Sequence, residues 1–150
     1  MTTNVKLMVV LSRLNYVFMS RLGKNLESLN MPTSHYLILA HLNDAGRDKV
    51  QKLCEAAVIT SGTVTHAVSK LKRHGYVVKK QDEDDRRVFW VQITQKGREA
   101  YQRVDDKHMA YLKELLGGFS EKEKQDFIRQ IKHFGKTIAA EHGERDGSAI

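Results

Sequence analysis

The sequence predicts a mostly α, α+β chain in which a winged helix-turn-helix sits between N- and C-terminal helices that form a dimerisation part. Three observations predict it. Apolar residues step by four and three near both ends of the chain, two short helical stretches meet at a tight link in the middle, and a two-stranded hairpin follows them.

From Val5 to Leu29 apolar residues fall at Leu7, Leu11, Leu14, Phe18, Leu22, Leu26 and Leu29, a heptad-like seam on one long helix. Such a helix is about 40 Å long, more than a small domain needs for its own core, so part of the seam is expected to pack on a second chain. Asn30 to Thr33 breaks it, and Pro32, the only proline, suits the first turn of the next helix. Tyr36, Leu37, Leu39, Ala40 and Leu42 predict a short buried helix ending near Gly46. A third helix, from about Val50 to Ala57, carries Val50, Leu53, Cys54 and Ala57.

Thr60 is the expected N-cap of a fourth helix over 61–74, because its hydroxyl can take a free backbone N–H of the first turn. Ile59 and Val64 have the spacing of a hydrophobic staple, and Gly75 that of a C′ residue. The stretches YVVKK (76–80) and VFWVQIT (88–94), rich in β-branched and aromatic residues, predict a hairpin. Phe89, Val91 and Ile93 are expected to face the core, and Val88, Trp90 and Gln92 the other side. Helix resumes after Thr94, with Val104, Tyr111, Leu112 and Leu115, and ends at Gly117-Gly118. Ser120 and Glu123 are spaced as a capping box for a last helix over 121–141, whose stripe is Phe127, Ile131, Phe134 and Ile138. The tail 142–150 has no stripe and is expected to be disordered.

With 150 residues the chain is expected to be one unit, 1–150, containing a winged part at 32–94 and a helical dimerisation part at 4–30 and 95–141. No apolar run is long enough for a bilayer helix. The opening MTTNVKLMVV lacks the basic region and cleavage site of a secretory signal, and the lone Cys54 excludes an internal disulfide; both predict a cytoplasmic protein. The seven histidines show no i,i+4 pair, and there is no P-loop, G-x-G-x-x-G or G-x-S-x-G. No enzyme, metal site or cofactor is expected. A net charge of +7 and a pI near 9.5 favour a polyanionic partner, nucleic acid ahead of a membrane surface.

On helix 61–74, Val64, Ala67, Val68 and Leu71 share one face, and Gly62, His66, Ser69 and Arg73 lie opposite, flanked by Thr63, Thr65 and Lys70. Any solvated helix has this character, but the short helix before it and the basic hairpin after it make it a candidate recognition helix. Ser61, Thr63, Thr65, His66 and Ser69 are then expected at base edges, Lys70 and Arg73 nearer phosphates, and Gly62 lets the helix start approach the groove. His66 alone is equally well a surface histidine. In the hairpin segment DEDDRR (82–87), Asp85 can hold Arg87 for the minor groove, Arg86 is placed for a phosphate, and Asp82 and Asp84 favour the turn.

The continuous stretch LCEAAVITSGTVTHAVSKLKRHGYVVKKQDEDDRRVFWVQITQKG, residues 53–97, resembles the MarR family of bacterial transcriptional regulators. Carrying the resemblance are the helix-turn-helix, Gly75, the wing Asp85-Arg86-Arg87, and the threonine-x-x-glycine Thr94 to Gly97. The resemblance implies a homodimer with interleaved terminal helices that binds a pseudo-palindromic operator in double-stranded DNA, as a repressor released by a small aromatic, phenolic or quinone-like ligand. It implies a pocket where the dimerising helices meet the winged part, without naming its residues. Lys79 and Lys80 depart from the family, which commonly has arginine there, and Cys54 stands where alanine is frequent and reads as a small core residue. Two alternatives stay open: a winged-helix adaptor that binds protein or RNA with no operator of its own, and a thiol- or metal-responsive sensor of the same fold.

Overall fold

The computed structural model describes residues 2–57 and 60–141. In order these form α1 (Thr3–Ser28), α2 (Thr33–Ala45), β1 (Arg47–Lys49), α3 (Val50–Ala57), α4 (Ser61–Arg73), β2 (Val77–Gln81), β3 (Phe89–Ile93), α5 (Gln95–Leu115) and α6 (Glu121–Glu141). The chain divides into two units, Met1–His108 and Met109–Ile150.

In the first unit α1 ends where Asn30 takes φ 57°, which lets Met31 N–H reach Leu26 O (3.0 Å) and Asn30 N–H reach Glu27 O (2.9 Å). Pro32 then stands at the N-cap of α2, one residue before the first turn where it was expected; its φ of −56° suits either position. Ile38, Leu39 and Leu42 of α2 are fully buried against Leu53 of α3, Val64 and Leu71 of α4, and Val77 and Val91 of the sheet. Each such side chain contributes about 1.5–3 kcal/mol relative to exposure. Cys54 is half-buried against this core, its thiol directed to Val50 O (3.6 Å).

The second helix of the helix-turn-helix is capped at both ends as the sequence suggests. Thr60 Oγ1 accepts the Thr63 N–H (3.3 Å). At the other end Gly75, at φ 74°, sends Tyr76 N–H to Leu71 O and its own N–H to Lys72 O, both 2.9 Å, satisfying two terminal carbonyls. Ile59, the proposed staple partner, lies outside the described residues, as does the tail 142–150.

The sheet has three strands, not two, in the order β1-β3-β2, all antiparallel. β1 was not expected, because Arg47-Asp48-Lys49 has no β-branched or aromatic residue. Tertiary pairing makes it a strand: Arg47 opposes Gln92 and Lys49 opposes Trp90, Ile93 N–H reaches Gly46 O (3.1 Å), and Asp48 turns inward to His41 Nε2 (2.8 Å). Val91 and Ile93 are buried as predicted. Phe89 is only half-buried and outside the core cluster, with Lys79 Nζ 4.3 Å from its ring centroid.

α5 starts on Thr94, whose hydroxyl donates to Gly75 O (2.7 Å) and accepts the Gly97 N–H (3.0 Å). Between α1, α2 and α5 lies a polar junction: Tyr36 Oη donates to Asp105 Oδ1 (2.7 Å), its ring meets those of Tyr101 and His108, and His108 Nδ1 pairs with Asn25 Oδ1 (2.7 Å). Burial, then the Asp105 carboxylate, pushes the Tyr101 hydroxyl up to about 12 and Tyr36 higher still, while burial lowers His108.

In the second unit Ser120 and Glu123 close the expected capping box: Glu123 Oε2 accepts from Ser120 N (2.8 Å) and Oγ (2.7 Å), and Ser120 Oγ accepts from Glu123 N (3.3 Å). The Ser120 donors hold the Glu123 carboxyl below its usual range. No helix among the described residues is long and apolar enough to cross a membrane.

Candidate nucleic-acid interface

The periodicity of α4 divides it cleanly. Val64, Ala67, Val68 and Leu71 are buried, whereas Ser61, Gly62, Thr63, Thr65, His66, Ser69 and Arg73 are exposed and Lys70 is half-buried. The hydroxyls of Thr65 and Ser69 donate to the helix itself, to Ser61 O (3.0 Å) and Thr65 O (2.9 Å). Each hydroxyl oxygen therefore faces outward as an acceptor, suited to the amino groups of adenine or cytosine. Gly62 has open space around its missing side chain, with nothing within 4 Å of a Cβ built there. Internal packing does not require a glycine at that position. Lys70, Lys72 and Arg73 gather in the last turn, where cations also complement the helix dipole. From below, His35 of α2 is buried, and burial followed by the charge of Lys70 holds it below its usual pKa.

The hairpin following α4 carries its own scaffold. Asp85 Oδ1 accepts from Arg87 N (3.0 Å) and Nε (3.2 Å), and Oδ2 accepts from Nη2 (3.3 Å). The Arg87 side chain is nonetheless 91% exposed. Solvent screens such a pair, so its effect is to orient the guanidinium, not to stabilise the fold. These contacts, the Arg87 side chain first, hold the Asp85 carboxyl below its usual range. Asp82 does more than favour a turn. Its Oδ1 accepts the backbone N–H groups of Asp84 and Asp85 (both 3.0 Å), and its Oδ2 accepts the indole N–H of Trp90 (2.6 Å). The indole bond first, then the two backbone donors, lower its pKa. Arg86 is exposed, and its carbonyl accepts from Gln81 Nε2 (2.6 Å).

Residues 29–88 match the family model described as MarR family. The HTH-type transcriptional regulator MhqR of Bacillus subtilis (strain 168) is 26% identical over 141 residues, 94% of this chain and 97% of that protein. Among solved structures, AbsC, a MarR family transcriptional regulator from Streptomyces coelicolor, shares the fold with a TM-score of 0.79 at 19% identity, over 93% of this chain and 98% of that one. The organohalide sensing RdhR-CbdbA1625 transcriptional regulator in its 2,4-dichlorophenol bound form shares it with a TM-score of 0.77 at 17% identity, over 91% and 82%. The match to the MarR family thus lies in the winged part, and relatives and solved folds of that kind extend the likeness over nearly the whole chain.

MarR family members are DNA-binding transcriptional regulators, not enzymes. Sequence reasoning missed the outer face of this wing. β1 adds Arg47 and Lys49 to the side of the sheet that carries Trp90 and Lys80, and a cleft of about 390 Å³ lies there between Arg47, Trp90 and the acids Asp82 to Asp84. The signal available was the alternation Arg47-x-Lys49, which places both cations on one side of an extended segment.

Proposed function

We propose that this chain is a homodimeric MarR-type repressor that reads a pseudo-palindromic operator and is released by a small aromatic, phenolic or quinone-like ligand. The supporting observation is that α4 leaves one polar face unburied, beside a wing that presents Arg87 on a carboxylate brace. In this reading Ser61, Thr63, Thr65, His66 and Ser69 meet base edges, Lys70, Arg73 and Arg86 meet phosphates, and Arg87, held by Asp85, enters the flanking minor groove. Two copies related by a two-fold axis place two α4 helices about one duplex turn apart.

Ligand release is supported by the dichlorophenol-bound RdhR-CbdbA1625, which shares this fold. The junction of Tyr36, Tyr101, Asp105 and His108 combines aromatic rings with a carboxylate acceptor, chemistry that suits a phenol, and it ties α1 and α5 to the α2 of the winged part. A ligand bound there shifts the operator equilibrium only through unequal affinity for the two arrangements of α4.

Selection of bound fragments from genomic DNA, followed by titration of one fragment against random duplex, tests the reading. A preference of orders of magnitude for a palindromic fragment is expected, and equal affinity would leave an adaptor instead. Arg87→Ala is expected to weaken operator binding by about 1–3 kcal/mol with the thermal midpoint unchanged. Gly62→Ala separates binding from folding. Alanine favours helix over glycine by about 1 kcal/mol at most, so stability holds or rises while operator affinity falls, because the added methyl stands on the face that meets the groove. Unchanged affinity in the Gly62 variant, measured by fluorescence anisotropy, would remove the start of α4 from the contact.

A further inference from the structure

The contacts that hold Arg87 lead back along the hairpin to one indole. Trp90 sits on the outer face of β3, outside the hydrophobic core, with Arg47 Cζ 4.8 Å and Lys49 Nζ 5.3 Å from its ring centroid. Both cations come from β1, where Lys49 pairs with Trp90 in register. Its N–H meets Asp82 Oδ2, the shortest of the side-chain bonds around the wing tip apart from the equally short Gln81–Arg86 bond. Asp82 Oδ1 gathers the N–H groups of Asp84 and Asp85, and Asp85 in turn grips Arg87 through three N–H donors. The backbone closes the same loop, with Asp82 N–H to Val88 O and Val88 N–H to Asp85 O, both 2.9 Å.

We propose that Trp90 and Asp82 are positioning residues of the wing, a relay that fixes the 82–85 turn and through it the aim of Arg87; the proposal rests on the reading of Arg87 as a DNA contact. An aspartate whose two oxygens accept three N–H donors from a turn and a neighbouring strand has one rotamer left. Removal of the indole N–H frees Oδ2, and the 82–85 turn loses its side-chain link to β3. Arg87 keeps Asp85, but the pair moves with the loop. Immobilising the arginine in advance lowers the ordering cost of contact, so the relay acts on affinity rather than on folding. Both residues lie outside the buried cluster, so their replacement leaves the core intact.

Trp90→Phe keeps an aromatic ring beneath Arg47 and Lys49 and deletes the indole N–H together with the fused five-membered ring. Its operator affinity is expected to fall about tenfold, and its slope of log K against log salt to become shallower by up to about one unit, as when one cationic contact is lost. The thermal midpoint and the dimer are retained. Asp82→Ala should do the same by a second route. The double variant Trp90→Phe/Arg87→Ala should bind no more weakly than Arg87→Ala alone, because a relay acting only through Arg87 has nothing left to act on. Trp90 is the only tryptophan, so its emission reports on this site directly, and Asp82→Ala should shift it in the free protein. Parental affinity in Trp90→Phe, or losses that add in full in the double variant, overturns the proposal. If Arg87→Ala itself binds as the parent does, the reading of the wing as a DNA contact fails first, and the relay with it.

Discussion

Leu14→Asp is expected to convert the proposed homodimer to monomers and to weaken operator binding about a hundred- to ten-thousandfold, the range lost when two linked binding modules become independent. Leu14 lies on α1 in line with Leu7, Leu11 and Phe18, and it is 45% exposed within its own chain, so a carboxylate there costs the single chain little. In a two-chain seam the same carboxylate would be stripped of water with no cation designed to meet it, a cost of several kcal/mol per copy. Leu7 at 42% exposed, and Phe127 at 51% and Ile138 at 45% on α6, describe two apolar stripes of the kind a second copy covers. The measurement is sedimentation at micromolar concentration alongside operator titration. A variant that stays dimeric would remove the α1 seam from the interface, whatever its DNA affinity.

The helix α1 was legible because steps of four and three need only helical geometry, and so was the Ser120–Glu123 box, whose partners are three residues apart. The Asp85–Arg87 pair was legible from its spacing, but the brace forms in a turn closed by Val88 N–H to Asp85 O, where Asp85 Oδ1 also accepts the Arg87 N–H, and not in extended chain. What escaped depends on residues brought together by folding. β1 is a strand only because β3 lies beside it, and Asp82 meets Trp90 only once the hairpin register is set. Alternation placed Phe89 on the same side of its strand as Val91 and Ile93 but could not show that burial falls off towards the start of β3. The polar junction joins Asn25, Tyr36, Asp105 and His108 from three helices, and no local spacing announces it.

The threonine-x-x-glycine of residues 94–97 was read as a family mark, and the structure supplies its reason, from which a large loss of stability follows. A Cβ at Gly97 would overlap the Tyr76 carbonyl oxygen and stand 2.9 Å from Ile93 Cγ1. Neither can yield cheaply: Tyr76 O already accepts the Thr94 N–H (3.0 Å), and Ile93 is buried in the core. Gly97→Ala must therefore lift the start of α5 off the sheet or displace Tyr76, at a cost of about 3 kcal/mol, the upper end of ordinary overpacking. For a chain of this size that lowers the thermal midpoint by roughly 10 °C. Helix propensity opposes this change, since alanine outranks glycine by about 1 kcal/mol, so the sign of the result identifies the cause. The identical substitution at Gly62 meets open space and is expected to leave stability unchanged or improved. Displacing Tyr76 also moves the first residue before β2, and with it the root of the wing, so operator binding should weaken even at temperatures where the variant is fully folded. A Gly97→Ala midpoint at or above the parent's would mean that α5 does not begin against the Tyr76 carbonyl, and the placement of the wing relative to α5 would have to be redrawn.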